Sequence, residues 1–199
     1  MKSSGSGERH IYLSKDATLT YEAGALKNSG ISRIKLTDDG ATVKLYSDAL
    51  NTSHLTITKS SASVNLVVGA DAKIARIHLW NTNSVDLNIS FENDAILTIN
   101  DMFRSGANFY ECGHELFLTN FEDYGSTSSI RFSDATFIAK LQGVAASWVK
   151  DSFHADGWED FYVDDGGYLH ATRVIPEPST YAVIFGCIAL MLVLYRRRC

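Results

Sequence analysis

The feature that most constrains this chain is a set of short apolar runs at nearly constant spacing. Val43-Lys44-Leu45, Val64-Asn65-Leu66 and Val85-Asp86-Leu87 recur every twenty-one residues. A second series runs Ile34-Lys35-Leu36, Leu55-Thr56-Ile57, Ile77-His78-Leu79, Ile96-Leu97-Thr98 and Leu116-Phe117-Leu118, at spacings of 19 to 22. Alternation at every second position is the signature of a strand with one buried face. Two such runs per repeat of about twenty residues predict stacked rungs, because one rung cannot bury its apolar face alone. The expected fold is therefore all-β, a single-stranded parallel β-helix (β-solenoid). Val43, Val64 and Val85 are expected in one inward column and Leu45, Leu66 and Leu87 in the next, with Lys44, Asn65 and Asp86 facing water. Asn81, Asn100 and Asn120 close three runs at the same offset and are expected to stack at one corner, bonded side chain to side chain. A β-sandwich shares the alternation. Antiparallel pairing of the Val43 and Leu55 runs would distinguish it.

Ahead of the repeats, residues 1–8 are polar and lack the apolar core of an export signal, so a truncated or mis-assigned start is expected. Repeats are assigned to 9–140 and a cap region to 141–175. Within the cap, Trp158–Val163 and Tyr168–Ala171 flank Asp164-Asp165-Gly166-Gly167, a hairpin pattern suited to covering an open solenoid end. The chain has a formal charge of −5, and before its basic tail 15 cations face 23 acids, giving −8. That balance argues against nucleic acid and anionic membrane surfaces as partners. Three cysteines, one in the body (Cys112), exclude a disulfide framework and a four-cysteine zinc site.

Residues that could carry chemistry are dispersed. Cys112-Gly113-His114-Glu115 brings a thiol, an imidazole and a carboxylate together in sequence, without the second pair that a zinc site needs. The acid pairs Asp38-Asp39, Glu92/Asp94 and Asp164-Asp165 sit at expected turns, where Asp serves local backbone bonding. Asp164 and Asp165 are the calcium candidates. Trp80, Trp148, Trp158, Tyr162 and Tyr168 are the candidate sugar-stacking rings. No nucleophile, phosphate-loop or dinucleotide motif is present in the sequence. No catalytic residue and no cofactor is assigned.

The last two dozen residues have a different character. Pro176 and Pro178, the only two prolines in the chain, flank Glu177; fifteen uncharged residues follow (181–195), then Arg196, Arg197 and Arg198. As a helix the block would span roughly 22 Å at ~1.5 Å per residue. That is short of a ~30 Å hydrocarbon core, a deficit that snorkelling arginines and local thinning make tolerable. The three arginines predict a cytoplasmic carboxyl end and an external body.

Proline-glutamate-proline abutting a terminal apolar helix and a basic end resembles the PEP-CTERM sorting signal, covering residues 176–199 or about an eighth of the chain. The resemblance implies recognition at Pro176-Glu177-Pro178 by an exosortase, a membrane-embedded cysteine transpeptidase. It also implies that the membrane helix holds the chain only until processing, with Arg196–Arg198 as its cytoplasmic anchor. The expected function follows: an exported, non-enzymatic structural or adhesive protein at the surface or in the extracellular matrix of a Gram-negative bacterium, with an exopolysaccharide as partner. Two alternatives share the tail: a β-helix lyase or hydrolase, and an uncleaved tail-anchored membrane protein. Three or more carboxylates, or Arg with carboxylates, on one outward face would favour the enzyme. A face of Asn, Ser and Thr would favour adhesion.

Overall fold

A computed structural model describes residues 9–22, 31–48, 53–79, 84–123 and 128–175, together with Ile188, Met191 and Tyr195. The strands alternate between two sheets along the chain. One sheet has six strands, in the order β1 (Arg9–Leu13), β3 (Ile31–Leu36), β5 (His54–Ile57), β7 (Ala72–Leu79), β9 (Ile96–Arg104) and β11 (Ser129–Phe132). The other has eight: β2 (Thr18–Tyr21), β4 (Thr42–Leu45), β6 (Ala62–Val68), β8 (Ser84–Phe91), β10 (Gly113–Thr119) and β12 (Phe153–Ala155), followed by β13 (Trp158–Val163) and β14 (Leu169–Arg173). Pairing from β1 to β12 is parallel throughout. The Val43 and Leu55 runs lie in different sheets, so the body is a β-solenoid and not a sandwich.

Burial follows the alternation. In β6 the buried positions are Ala62, Val64, Leu66 and Val68, and in β8 they are Val85, Leu87, Ile89 and Phe91. All six residues of the first repeat series are inside, as their spacing requires. Their columns differ from expectation. Val43 pairs with Leu66 and Leu66 with Ile89, so from β4 to β8 this sheet repeats every twenty-three residues, not twenty-one. Val64 pairs instead with Leu87. The discrepancy is two residues, an even number, so every side chain stays on its expected face while each column shifts one inward position. In the six-stranded sheet, Ile34, Leu55 and Ile77 do form one column.

The fifth member of the second series changes sheets. Leu116 lies in β10 and pairs with Leu87, because a 3-10 turn at Phe109–Glu111 intervenes and the chain crosses over before the run begins. Asn100 and Asn120 therefore do not stack. Asn100 lies within β9 of one sheet, where its Oδ1 accepts from the Ser133 hydroxyl at 2.5 Å. Asn120 follows β10 in the other sheet, in a left-handed backbone conformation, and donates to the Phe91 carbonyl at 2.9 Å. Asn81 lies outside the described residues. The polar ladder is elsewhere: Asn65 donates to Thr42 Oγ1 and Asn88 donates to Asn65 Oδ1, each at 3.2 Å, across three consecutive rungs.

The six-stranded sheet ends at Phe132, and two helices follow, α1 (Ala135–Gln142) and α2 (Ala146–Ser152). Asp134 starts α1 by accepting from the Phe137 amide at 2.7 Å, the usual role of Asp before a helix. Phe109, Phe137, Trp148, Phe153 and Phe161 pack ring against ring beneath the helices. The hairpin occupies its expected place and pairs antiparallel, β12 to β13 to β14. Its turn reaches the other sheet: the Phe132 amide donates to the Gly167 carbonyl at 2.8 Å, and Arg131 bridges Tyr168. Gly167 is confined to glycine twice over, by a φ of 81° and by a Cβ position that would lie 2.1 Å from the Phe132 carbonyl oxygen. The hairpin thus covers the otherwise unpaired side of β11.

Among the described residues no helix is long and apolar enough to cross a membrane. Pro176-Glu177-Pro178 and Arg196–Arg198 lie outside the described residues, as does the apolar block apart from Ile188, Met191 and Tyr195, which are helical and exposed.

Two measurements check this packing. Truncating Leu45, Leu66 or Leu87 to Ala should each cost about 2–5 kcal/mol in denaturant unfolding, through lost transfer energy and a residual cavity. Register is checked by cross-linking with the native cysteines replaced by serine. The Lys44→Cys/Val67→Cys pair, adjacent in the structure, should oxidise readily. Lys44→Cys/Asn65→Cys should not, because its diagonal separation of about 7–8 Å exceeds disulfide reach.

Candidate functional site

The outer face of the eight-stranded sheet carries one aligned column, Thr42, Asn65, Asn88, Phe117 and His154. Its first three members form the hydrogen-bonded ladder. Phe117 and His154 stack at 5.1 Å between ring centroids, 24° from parallel. Thr42, Asn65 and Asn88 are the Asn and Thr side chains that sequence reasoning had associated with adhesion, on a face that also carries Lys44, Asp86 and Glu115. The six-stranded sheet's outer face holds longer, charged side chains, with Arg76 donating to both carboxylate oxygens of Asp101 at 2.6 and 2.5 Å.

A concavity of about 840 Å³ lies at a corner between the sheets, an open groove that runs along the stack. One wall is the turn after each strand of the eight-stranded sheet. There Asp48, Asp71 and Asp94 occupy equivalent places, twenty-three residues apart, in Ser-Asp-Ala, Ala-Asp-Ala and Asn-Asp-Ala. The opposite wall is the outward column Lys73, Thr98 and Arg131 of β7, β9 and β11. Tyr46 and Tyr168 are also in the lining. Three of these groups have a structural reason for their positions. Asp71 accepts from the Ile96 amide of the following rung at 2.8 Å, a turn function. Tyr46 lies over Gly69, where a Cβ would come within 2.2 Å of the ring, and its hydroxyl donates to Glu92 at 2.5 Å. Arg131 stacks on Tyr168 at 5.1 Å. Sequence reasoning found Tyr168 and Asp94 but not the row that joins Asp94 to Asp48 and Asp71. The repeated Asp-Ala at twenty-three residues was the available signal.

The other candidates are used locally. Lys59 bridges Asp38 at 2.6 Å and Asp39 at 3.1 Å, and its hydrogen bonds hold both carboxyls below their ordinary range. Asp164 Oδ1 accepts from the Tyr168 amide at 2.8 Å and Asp165 accepts from Gln142 at 3.0 Å, so both calcium candidates serve the hairpin turn. Among the described residues no group of three His, Cys, Asp or Glu is arranged to hold a metal ion. Trp148 is buried under the cap, Trp158 packs edge-on against Phe121, and Trp80 lies outside the described residues. Tyr162 is exposed and stacks on His170.

The histidines divide by environment. His114 points into the core, 2% exposed, and neither ring nitrogen has a hydrogen-bond partner. Burial, with Arg104 adding repulsion, pulls its pKa to about 4. His114 takes the inward column of Ala62 and Val85, whereas Cys112 precedes β10 at the end of the 3-10 turn, where its thiol donates to the Asn108 carbonyl at 3.7 Å. His78, also buried, has its pKa lowered to about 4, first by burial and then by nearby cations. His170 differs: burial disfavours its charge, but hydrogen bonds to Asp123 at 2.6 Å and Asp164 at 3.2 Å outweigh this and raise its pKa.

The chain matches no family model, no curated protein and no solved structure.

These shifts set the pH response. His114 and His78 are neutral in the fold, so their stabilisation is complete above the unfolded value of about 6.5 and is lost as pH falls toward 4, on the order of 3 kcal/mol each. His170 works in the opposite sense: its stabilisation is present below 6.5 and is lost as pH rises through its raised folded pKa. Melting temperature should therefore fall between pH 6.5 and 4. His114→Leu should melt higher, gaining about 1–3 kcal/mol by removing an unpartnered buried polar group, with a shallower acid slope. A wild-type melting temperature unchanged over that range would refute the assignment.

Proposed function

We propose that this chain is an exported protein of the cell envelope or extracellular matrix of a Gram-negative bacterium, sorted by an exosortase that acts at Pro176-Glu177-Pro178. Its β-solenoid is the structural or adhesive module, with an exopolysaccharide as partner. The observation that carries the reading of the body is the hydrogen-bonded Thr42–Asn65–Asn88 ladder. Uncharged amide and hydroxyl groups repeated at one position per rung offer a regular polar surface suited to contact and not to proton transfer. The sorting reading rests on the sequence alone: the proline pair, the apolar block and the arginine end, in that order.

One observation favours the enzymatic alternative, the row Asp48, Asp71 and Asp94 across from Arg131. Glycoside hydrolysis needs one carboxylic acid kept protonated by a dry environment while its partner stays ionised. Asp71 and Asp94 are both exposed on the rim, an environment that suits binding better than general acid catalysis.

Mass spectrometry of the exported form tests the sorting step. In cells with an exosortase, the mature protein should lack Tyr181 to Cys199, and disruption of Pro176-Glu177-Pro178 should leave the intact chain in the inner membrane. Recovery of an intact tail from the exported wild type would overturn the reading, and an intact tail retained in the inner membrane would favour the uncleaved anchor.

A further inference from the structure

We propose that the corner groove is a binding site for an uncharged polysaccharide, laid along the stack with successive sugars against successive rungs. The inference rests on the partner class named above and adds a location, a ligand charge and a set of contacts. Three features support it. First, the groove has a repeat: Asp48, Asp71 and Asp94 on one wall, and Lys73, Thr98 and Arg131 on the other, recur once per rung. Parallel neighbours lie about 4.8 Å apart, close to the length of one sugar residue in an extended glycan. Second, the side chains are those that bind vicinal hydroxyls, with carboxylates to accept and ammonium and guanidinium groups to donate. Tyr168, half-buried beside Arg131, offers a ring for the apolar face of a sugar. Third, the alternatives fit less well. An extended peptide binds by adding to a free strand edge. The lining strands β7 and β9 are paired on both sides, and β11 is covered by the hairpin turn. A polyanion would meet three aspartates against two cations.

The test uses the purified full chain with four probes: a soluble mixed-linkage β-glucan, a dextran, alginate and poly-glutamate. Calorimetry or affinity electrophoresis should show binding to at least one neutral glucan and to neither polyanion. Asp94→Ala and Lys73→Ala, at exposed or half-exposed positions, should each weaken binding roughly tenfold, as should Tyr168→Ala, which retains the turn's backbone bonds. Asp86→Ala, exposed on the eight-stranded face outside both the groove and the ladder, should not. Unchanged melting temperatures will show that the variants are folded. Binding to neither neutral glucan, binding only to a polyanion, or loss on Asp86→Ala with the groove variants unaffected would overturn the proposal. New reducing ends in the bound glucan would overturn it in favour of the enzyme. Fractionation separates this inference from the proposed function. Matrix retention of the groove variants at wild-type level would defeat the groove alone. Failure of the wild type to be exported, with glucan binding intact, would defeat the sorting reading alone.

Discussion

Backbone pairing between consecutive rungs is the constraint on which the rest of this molecule depends. Every strand from β3 to β10 is hydrogen-bonded on both sides to parallel neighbours, so no interior backbone group has to find another partner. Once that register is set, each column of side chains is set with it. Leu19, Val43, Leu66 and Ile89 fall in line inside because their backbones do, and Thr42, Asn65 and Asn88 fall in line outside for the same reason. The inner columns supply apolar burial. The outer ones become ladders whose chemistry varies with little cost to the core.

Such a stack must manage its ends, because unpaired strand edges invite pairing with other chains. Here the carboxyl-terminal end is closed by a change from parallel to antiparallel pairing: the hairpin β13–β14 turns back and meets β11 through Gly167 and Tyr168. The closure is held electrostatically as well, since His170 of β14 sits between Asp123 and Asp164. Aromatic packing under α1 and α2 fills the space that another rung would occupy. Those rings are committed to the cap; Tyr12, Phe103 and Tyr162 are exposed elsewhere, and Tyr46 and Tyr168 are half-buried.

The groove illustrates how a repeat becomes a site. A single corner aspartate has only a turn to stabilise, as Asp71 does for Ile96. Repeated at every rung, the same residue forms a row, and the row faces another made by the outward positions of β7, β9 and β11. Neither row is conspicuous in one rung. The cleft exists because the two sheets meet at that corner, bringing residues far apart in the chain, such as Asp48 and Arg131, into one lining.

Much of this was legible from the amino-acid sequence. Alternating runs at a period near twenty specified strands, stacking and the inward residues, because strand periodicity and the need to bury one face leave few other folds. The turn residues around Asp164 located the hairpin. What the sequence could not decide was register. Periods of twenty-one and twenty-three place the same residues inside, since both keep strand parity, so only backbone pairing reveals that Val43 meets Leu66 and not Val64. The same blindness hid the crossing of the Leu116 run into the other sheet, the failure of Asn100 and Asn120 to stack, and the row Asp48–Asp71–Asp94. Those are properties of which rung lies beside which, and inter-rung hydrogen bonds settle them in three dimensions.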